Sequence, residues 1–504
     1  MPNKLPSVDD RSTEDRSLDP EDWDQFRALG HQMMDDMIDY LQTIRDRPAW
    51  RSPSPEARTY LRSALPRNGT PLADVYRDFK EHILPYPTGN IHPRFWGWVM
   101  GTGTPVGLLA DLLGSAMNCH VSGYDQAATL VERQVITWLI EMLDFPRDAS
   151  GLLVSGGTVA NLIGVATARN SIAGASIRKE GVTSHAQGRL AIYGSVATHG
   201  WAERSCDLLG FGSEGFRRVP VDEHDRIRID DLARMIREDR SRGYRSVCIV
   251  GNAGTVTTGA TDNLNALADL ARSESIWFHV DGAFGAMVKL SPKYRHLADG
   301  LERADSLAFD LHKWGYMQYE TGAVLVRDGQ IHEEAFSFAP SYLETFTGGI
   351  AVKPTEFASR GIQLSRGFRA LRVWMNLKVY GAERLGAAIE GNIEDSQYLA
   401  SRIREEPELE LLAPADMNVI CFRFRSPQMT DIELDALNSQ ILVQLQESGT
   451  AVPSNARVQG RFALRVAHTN HRSIRPDFDL LIEAVLAIAH RIVGAIPDVS
   501  NQLG

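Results

Sequence analysis

The chain has 504 residues, of which 43% are hydrophobic and 23% charged, the composition of a folded globular protein with room for two or three domains. Its 42 glycines and 23 prolines follow no internal repeat, which excludes fibrous and linker-like architectures. Fifty-three basic against 64 acidic side chains leave a net charge of -11, which excludes a basic surface built to neutralise a nucleic-acid backbone.

Residues 1–17 are polar with no apolar h-region, and nowhere do about 20 apolar residues run together, so neither secretion nor a membrane span is expected. Asp19-Pro20-Glu21 predicts a helix start: a cap, a proline in the first turn and an acidic side chain. Trp23, Phe26, Met33, Met37, Tyr40, Leu41 and Ile44 then recur at helical spacing until Arg47-Pro48 stops the pattern. Residues 51–94 are rich in Pro, Ser and Arg. Residues 1–104 are therefore expected to be a helical segment too thin for a core of its own, packed on a partner subunit.

From residue 105 the pattern changes to apolar runs alternating with helical stretches. The runs are 151–154, 190–193, 247–250, 276–280, 306–309 and 322–326, and most are followed by a polar loop and a helix. This is how a mainly parallel sheet covered on both faces reads, with ligands at the carboxyl ends of its strands. Residues 105–371 are expected to form this large domain. Residues 372–504 are expected to form a small α+β domain, with strands near 418–424 and 461–466 and helices near 432–447 and 477–493. Cys119, Cys206, Cys248 and Cys421 form no C-x-x-C pair and are too sparse for a disulfide framework, which fits a reducing cytoplasm. No metal site is expected.

Three features could carry chemistry. Ser155-Gly156-Gly157-Thr158 lies between an apolar run and a helix, where two glycines, free N–H groups and two hydroxyls suit a phosphate; an ordinary glycine-rich turn capped by Ser or Thr reads the same way. Asp281 ends the 276–280 run and needs a cationic or hydrogen-bonding partner to stay ionised, unless it is a turn or cap residue. Lys313 follows the 306–309 run in a polar-poor stretch, where a partly dry pocket lowers its proton affinity and makes it a nucleophile toward a carbonyl, unless, as for any single lysine, it is a solvated surface charge; Lys289 and Lys293 fall in a polar stretch and are expected to be solvated. In that chain order on one parallel sheet these are the parts needed to hold pyridoxal phosphate: a cradle for phosphate, a carboxylate for the ring nitrogen and a lysine for the aldehyde.

With these residues stand others in a fixed order: His92-Pro93 with Phe95-Trp96-Gly97-Trp98, the run Ser155 to Asn161, His199 with Glu203-Arg204, His279 to Ala283, His312-Lys313-Trp314, Pro340-Ser341-Tyr342-Leu343, and Leu364 to Leu371. The ensemble resembles the group II pyridoxal-phosphate decarboxylases, the fold-type I family that contains aromatic-L-amino-acid, glutamate and histidine decarboxylases. The resemblance implies an α/β fold with a mainly parallel seven-stranded sheet and a homodimer with its active site at the subunit interface. It implies that His199 stacks on the cofactor ring, that Thr255, Ala283 and His312 line the cofactor, that Tyr342 on a mobile loop delivers a proton to Cα, and that Arg366 lies near the substrate. Trp98, with Trp96, favours an aromatic or large apolar amino acid. The implied activity is decarboxylation of an L-amino acid to the amine. An aldehyde synthase, lyase or aminotransferase on the same frame, a decarboxylase of a non-aromatic amino acid, and a non-catalytic relative are the alternatives. Three places depart from the family pattern: Asp310-Leu311 before His312, where asparagine and proline are usual; Gly200-Trp201, where small hydroxyl residues are common; and Met100-Gly101, where aromatic decarboxylases carry Pro-Thr.

Overall fold

The computed structural model describes residues 17–174, 177–182, 188–338 and 346–494. The chain divides into two compact units, one made of residues up to 46 with 53–85, the other of 47–52 with 86 onward.

The first unit is helical: Trp23–Gln42, Pro55–Tyr60 and Leu72–His82. Its first helix begins later than Asp19-Pro20 suggests, because Asp22 is the cap and accepts from the backbone N–H groups of Asp24 and Gln25, both at 2.9 Å. Asp36 ties this helix to the third, accepting from Tyr76 Oη at 2.6 Å and Lys80 Nζ at 3.2 Å. No residue of the first helix is buried, and Trp23, Phe26 and Ile38 are exposed.

The second unit is built on seven strands: β1 (Ser150–Val154), β2 (Arg189–Ser195), β3 (Phe216–Val219), β4 (Tyr244–Asn252), β5 (Trp277–Asp281), β6 (Ser306–Asp310) and β7 (Gly322–Val326), in the order β1-β7-β6-β5-β4-β2-β3. Neighbours from β6 through β3 are parallel; β7 runs antiparallel to both β6 and β1. The six apolar runs are six of these strands, and they read as continuous apolar stretches because both faces of the sheet are covered. Only β3, with its two arginines, gave no apolar run. Register brings the strand ends that matter together: Asn252 opposite Asp281, and both Val154 and Asp310 opposite Gly322.

A second sheet, all antiparallel, has the order β10-β11-β9-β8, with β8 Leu409–Leu411, β9 Val419–Phe424, β10 Ser454–Val458 and β11 Arg461–Ala467. Gln459 and Gly460, both at positive φ, make the two-residue turn between β10 and β11. The helices Asp431–Glu447 and Arg475–Gly494 pack on this sheet, the first opened by a Thr430–Glu433 capping box. The long helical run Arg369–Glu405 is broken at Gly381, where φ is 70°, and residue 372 lies in the part before the break.

Two smaller expectations change. Trp96 is core, stacked on Phe478 at 4.9 Å, with its indole N–H donating to Ser473 Oγ. Lys289 is buried rather than solvated, paired with Asp299 at 3.1 Å and Glu302 at 3.3 Å; Lys293 is exposed as expected.

Candidate active site

A cavity of about 450 Å³ opens at the carboxyl ends of β1, β4, β5 and β6. Its floor is the turn after β1. Gly156 is the N-cap of the helix Gly157–Ala173 and no side chain caps that end, so the hydroxyls of Ser155 and Thr158, which line the cavity, are not spent as helix caps. Backbone alone fits here: a Cβ on Gly157 would come within 2.8 Å of Asp310 Oδ2, and one on Gly322 within 2.7 Å of the Gly156 Cα. Asn161, one turn into the helix, donates to the Gly157 carbonyl at 2.8 Å and accepts from His279 Nε2 at 2.7 Å, fixing the cradle to β5.

At the end of β5, Asp281 is 6% exposed and has two donors. Trp201 Nε1 donates to Oδ2 at 2.6 Å and the Ala283 N–H to Oδ1 at 3.1 Å. His279, two residues earlier, is fully enclosed between Asn161 and Ser306, and burial pushes its imidazole down to about 3. It braces the sheet rather than facing the cavity. His199 does face it; its Nδ1 accepts from the Trp201 backbone N–H at 3.2 Å, and burial above all holds its imidazole below the ordinary range.

Lys313 lies beyond β6 with Nζ 2.8 Å from Asp310 Oδ2. Burial alone would lower its proton affinity, as the sequence suggests, but Asp310, helped by Asp281, reverses that, and the ammonium is held above its usual range. Asp310 therefore holds the lysine, and its other oxygen, Oδ1, is buried without a hydrogen-bond partner. His312 Nδ1 accepts from the Thr321 N–H at 3.2 Å and its ring lies against Tyr319 at 4.3 Å.

Thr255 and Ala283 line the cavity; Thr255 Oγ1 accepts from the Ala260 N–H at 3.2 Å. Trp98, half-exposed, forms part of the wall with Phe284 and Tyr319. Arg366 is a correction. It is buried away from the cavity, paired with Glu132, and donates to the carbonyls of Val121 at 2.6 Å and Leu153 at 2.7 Å. A guanidinium committed to a carboxylate and two carbonyls steadies the end of β1; it does not reach a substrate here. Tyr342 lies outside the described residues, as do 344 and 345 of the loop, residues 344–354, that is expected to be mobile.

The sequence reading missed Tyr319 and Glu320, which line the cavity; no periodicity marks a loop six residues beyond the lysine. Arg465 on β11 lies outside that lining, buried with Nε and one terminal nitrogen unpartnered. Ser454 Oγ accepts from Arg465 at 3.0 Å and from the Trp98 N–H at 3.3 Å. Alternation along a short strand gives no hint that an inward position is an arginine with donors to spare.

The donor set fits pyridoxal phosphate: a cradle that admits only backbone, an oriented carboxylate at one strand end, and a lysine at the next. Residues 55–425 match the family model described as pyridoxal-dependent decarboxylase conserved domain. The chain is 30% identical to an aromatic-L-amino-acid decarboxylase of Bacillus atrophaeus, over 95% of this chain and 98% of that one. It is 27% identical to a phenylacetaldehyde synthase of Arabidopsis thaliana, over 94% and 98%. A crystal structure of Oryza sativa TDC with PLP and tryptamine superposes with a TM-score of 0.87 at 24% identity, covering 94% of this chain and all of that one. Among the described residues no helix is long and apolar enough to cross a membrane, and no cluster of His, Cys, Asp and Glu could hold a metal ion.

Proposed function

The chain belongs to the pyridoxal-dependent decarboxylase family, and on that premise we propose that it converts an aromatic L-amino acid to its amine and carbon dioxide. The observation that carries this reading is the convergence of Lys313, Asp281 and the Gly156-Gly157 cradle on one cavity whose wall includes Trp98, Phe284 and Tyr319. Pyridoxal 5'-phosphate, when bound, supplies an electron sink for the pair left at Cα as the carboxylate departs. Ser155, Gly156, Gly157 and Thr158 receive its phosphate, Asp281 holds a proton at its ring nitrogen, His199 covers its ring, and Lys313 is the amine that anchors it. The aromatic wall excludes water and supports a flat apolar side chain.

Tyr342 is the proposed donor of the proton to Cα. Replacing it by phenylalanine is expected to leave carbon dioxide release intact and divert the product from amine to aldehyde, with dioxygen consumed as the two-electron oxidant and ammonia and hydrogen peroxide released; unchanged amine production overturns the assignment. The second reading, an aldehyde synthase, draws on the Arabidopsis thaliana relative. Incubating the cofactor-loaded protein with a panel of L-amino acids, with Lys313→Ala alongside, tests both. Amine and carbon dioxide in equal amounts from tryptophan, tyrosine, phenylalanine or dihydroxyphenylalanine support the first; aldehyde as the sole product overturns it.

A homodimer is proposed on the exposed Leu109, Leu112, Leu113 and Met117 of the helix Pro105–Met117, which ask for cover. Residues 1–104 are proposed to pack on that partner, with 105–371 and 372–504 as the large and small domains. Four unpaired cysteines support a cytoplasmic location.

A further inference from the structure

Asp281 is the group on which the ring nitrogen depends, and a buried carboxylate keeps its charge and direction only through its donors. One donor is a backbone N–H on its own turn. The other, Trp201 Nε1 at 2.6 Å, comes from a different element, the helix Trp201–Leu208. An indole N–H can only donate, so this contact exists only while Oδ2 is an acceptor, and it fixes the plane of the carboxylate. The indole is itself fixed: it is 2% exposed, and its ring meets His279 edge-on at 5.7 Å and 79°. The same residue's backbone N–H points at His199 Nδ1, which leaves the neutral ring's proton on Nε2.

We propose that Trp201 is a positioning residue for the cofactor, its indole N–H aiming and anchoring the Asp281 carboxylate while its backbone N–H sets the tautomer and tilt of His199. The proposal rests on the cofactor assignment and is independent of which amino acid is the substrate. Without the indole N–H, Asp281 loses its shortest hydrogen bond and becomes the stronger base. A proton shared with the ring nitrogen then moves toward Oδ2, and the ring loses the positive charge that makes it an electron sink.

Trp201→Phe keeps an aromatic body and deletes the donor. In substrate-free protein, equilibrium dialysis is expected to show pyridoxal phosphate held about tenfold more weakly, the order of one lost charge-assisted hydrogen bond, and the absorbance of the lysine-bound cofactor should change its pH midpoint. With a substrate, kcat should fall and KM change little. Trp201→His, which can donate from a ring nitrogen, should regain part of the affinity. Equal affinity and equal pH midpoints in wild type and Trp201→Phe overturn the proposal, as does a Trp201→His variant no better than Trp201→Phe. If Trp201→Phe does not fold, the bond is read without changing Trp201. Among the indole ¹⁵N–H signals of the nine tryptophans, one downfield signal of the wild type should move upfield in Asp281→Asn, and an unmoved set overturns the proposal. Wild-type protein that takes up no pyridoxal phosphate overturns the cofactor assignment and this proposal together, whereas the variant outcomes bear on Trp201 alone.

Discussion

Lys313 Nζ and Asp310 Oδ2 form a 2.8 Å ion pair three residues apart in the chain, with the Asp310 side chain 2% exposed. The pair shows what the aspartate at this position touches. Asp310 pairs with the lysine, and its carboxylate, whose Oδ2 a Cβ on Gly157 would approach to 2.8 Å, lies beside the proposed phosphate cradle with a cation already on it.

Asp310→Asn removes the main group that raises the Lys313 proton affinity, leaving burial to lower it. The lysine attacks as the neutral amine, so its loading with pyridoxal phosphate should extend to lower pH and run several-fold faster at neutral pH. The rise of the cofactor absorbance band against pH in wild type and variant checks this; a pH profile unchanged or moved upward contradicts it.

His279 and His332 are both buried neutral, burial pushing each down to about 3. Unfolded, each titrates at the ordinary 6.5. Their folded values are depressed, so the stability they contribute is full above about pH 6.5 and is lost as pH falls toward 3. Each should steepen the fall by at most about 1.4 kcal/mol per pH unit. Urea unfolding at stepped pH between 6 and 4.5 measures the slope. His332→Gln, and separately His279→Gln, should flatten it, whatever each costs at neutral pH.

Much of this site is legible in the sequence because its parts sit at strand ends, and six of the seven strands announce themselves as apolar runs. What sequence reading could not supply is where side chains point. Trp96 and Trp98 look alike in the sequence, two residues apart in one aromatic stretch, yet Trp98 and Val99 take positive φ; the chain turns there, with Trp96 in the core and Trp98 at the cavity. Trp201 reads as an intrusion near His199 until the indole is seen to meet Asp281, 80 residues away. Arg366 and Lys289 are the converse: charged residues in amphipathic or polar stretches that burial, invisible in one dimension, commits to ion pairs, Arg366 to the buried Glu132 and Lys289 to the more exposed Asp299.

Arg366 and Glu132 clip both sides of one residue next to the cradle: Arg366 donates to the Leu153 carbonyl and Glu132 accepts its N–H at 3.3 Å. Arg366→Met leaves a buried carboxylate without a cation, which should cost about 3–5 kcal/mol and lower the melting temperature. Arg366→Lys should recover little, because an ammonium cannot replace the guanidinium fork that serves Glu132 and two carbonyls. Adding Glu132→Leu to Arg366→Met should restore much of the lost stability, since no unpaired charge then remains; a double variant as unstable as the sum of the singles contradicts the pairing.

Asn392 joins the reactive lysine's neighbour to the second sheet. Its Oδ1 accepts from Trp314 Nε1 at 3.0 Å and Tyr316 Oη at 2.6 Å, and its Nδ2 donates to His468 Nε2 at 3.1 Å and the Asn470 carbonyl at 3.2 Å. All four partners are buried, so water cannot replace the amide. Asn392→Leu matches its size and satisfies none of them, and unpaired buried groups at about 1–3 kcal/mol each should bring the loss to roughly 3 kcal/mol or more. Because Trp314 follows Lys313 directly, the variant should also hold pyridoxal phosphate more weakly. Asn392→Asp keeps the acceptor for Trp314 and Tyr316 while losing the donor to His468, so it should retain cofactor better than Asn392→Leu even where its melting temperature is no higher. Cofactor affinity and melting temperature measured on the three proteins separate the two halves of the amide's work, and loss of affinity that simply tracks melting temperature would show that Asn392 stabilises the fold without positioning the lysine.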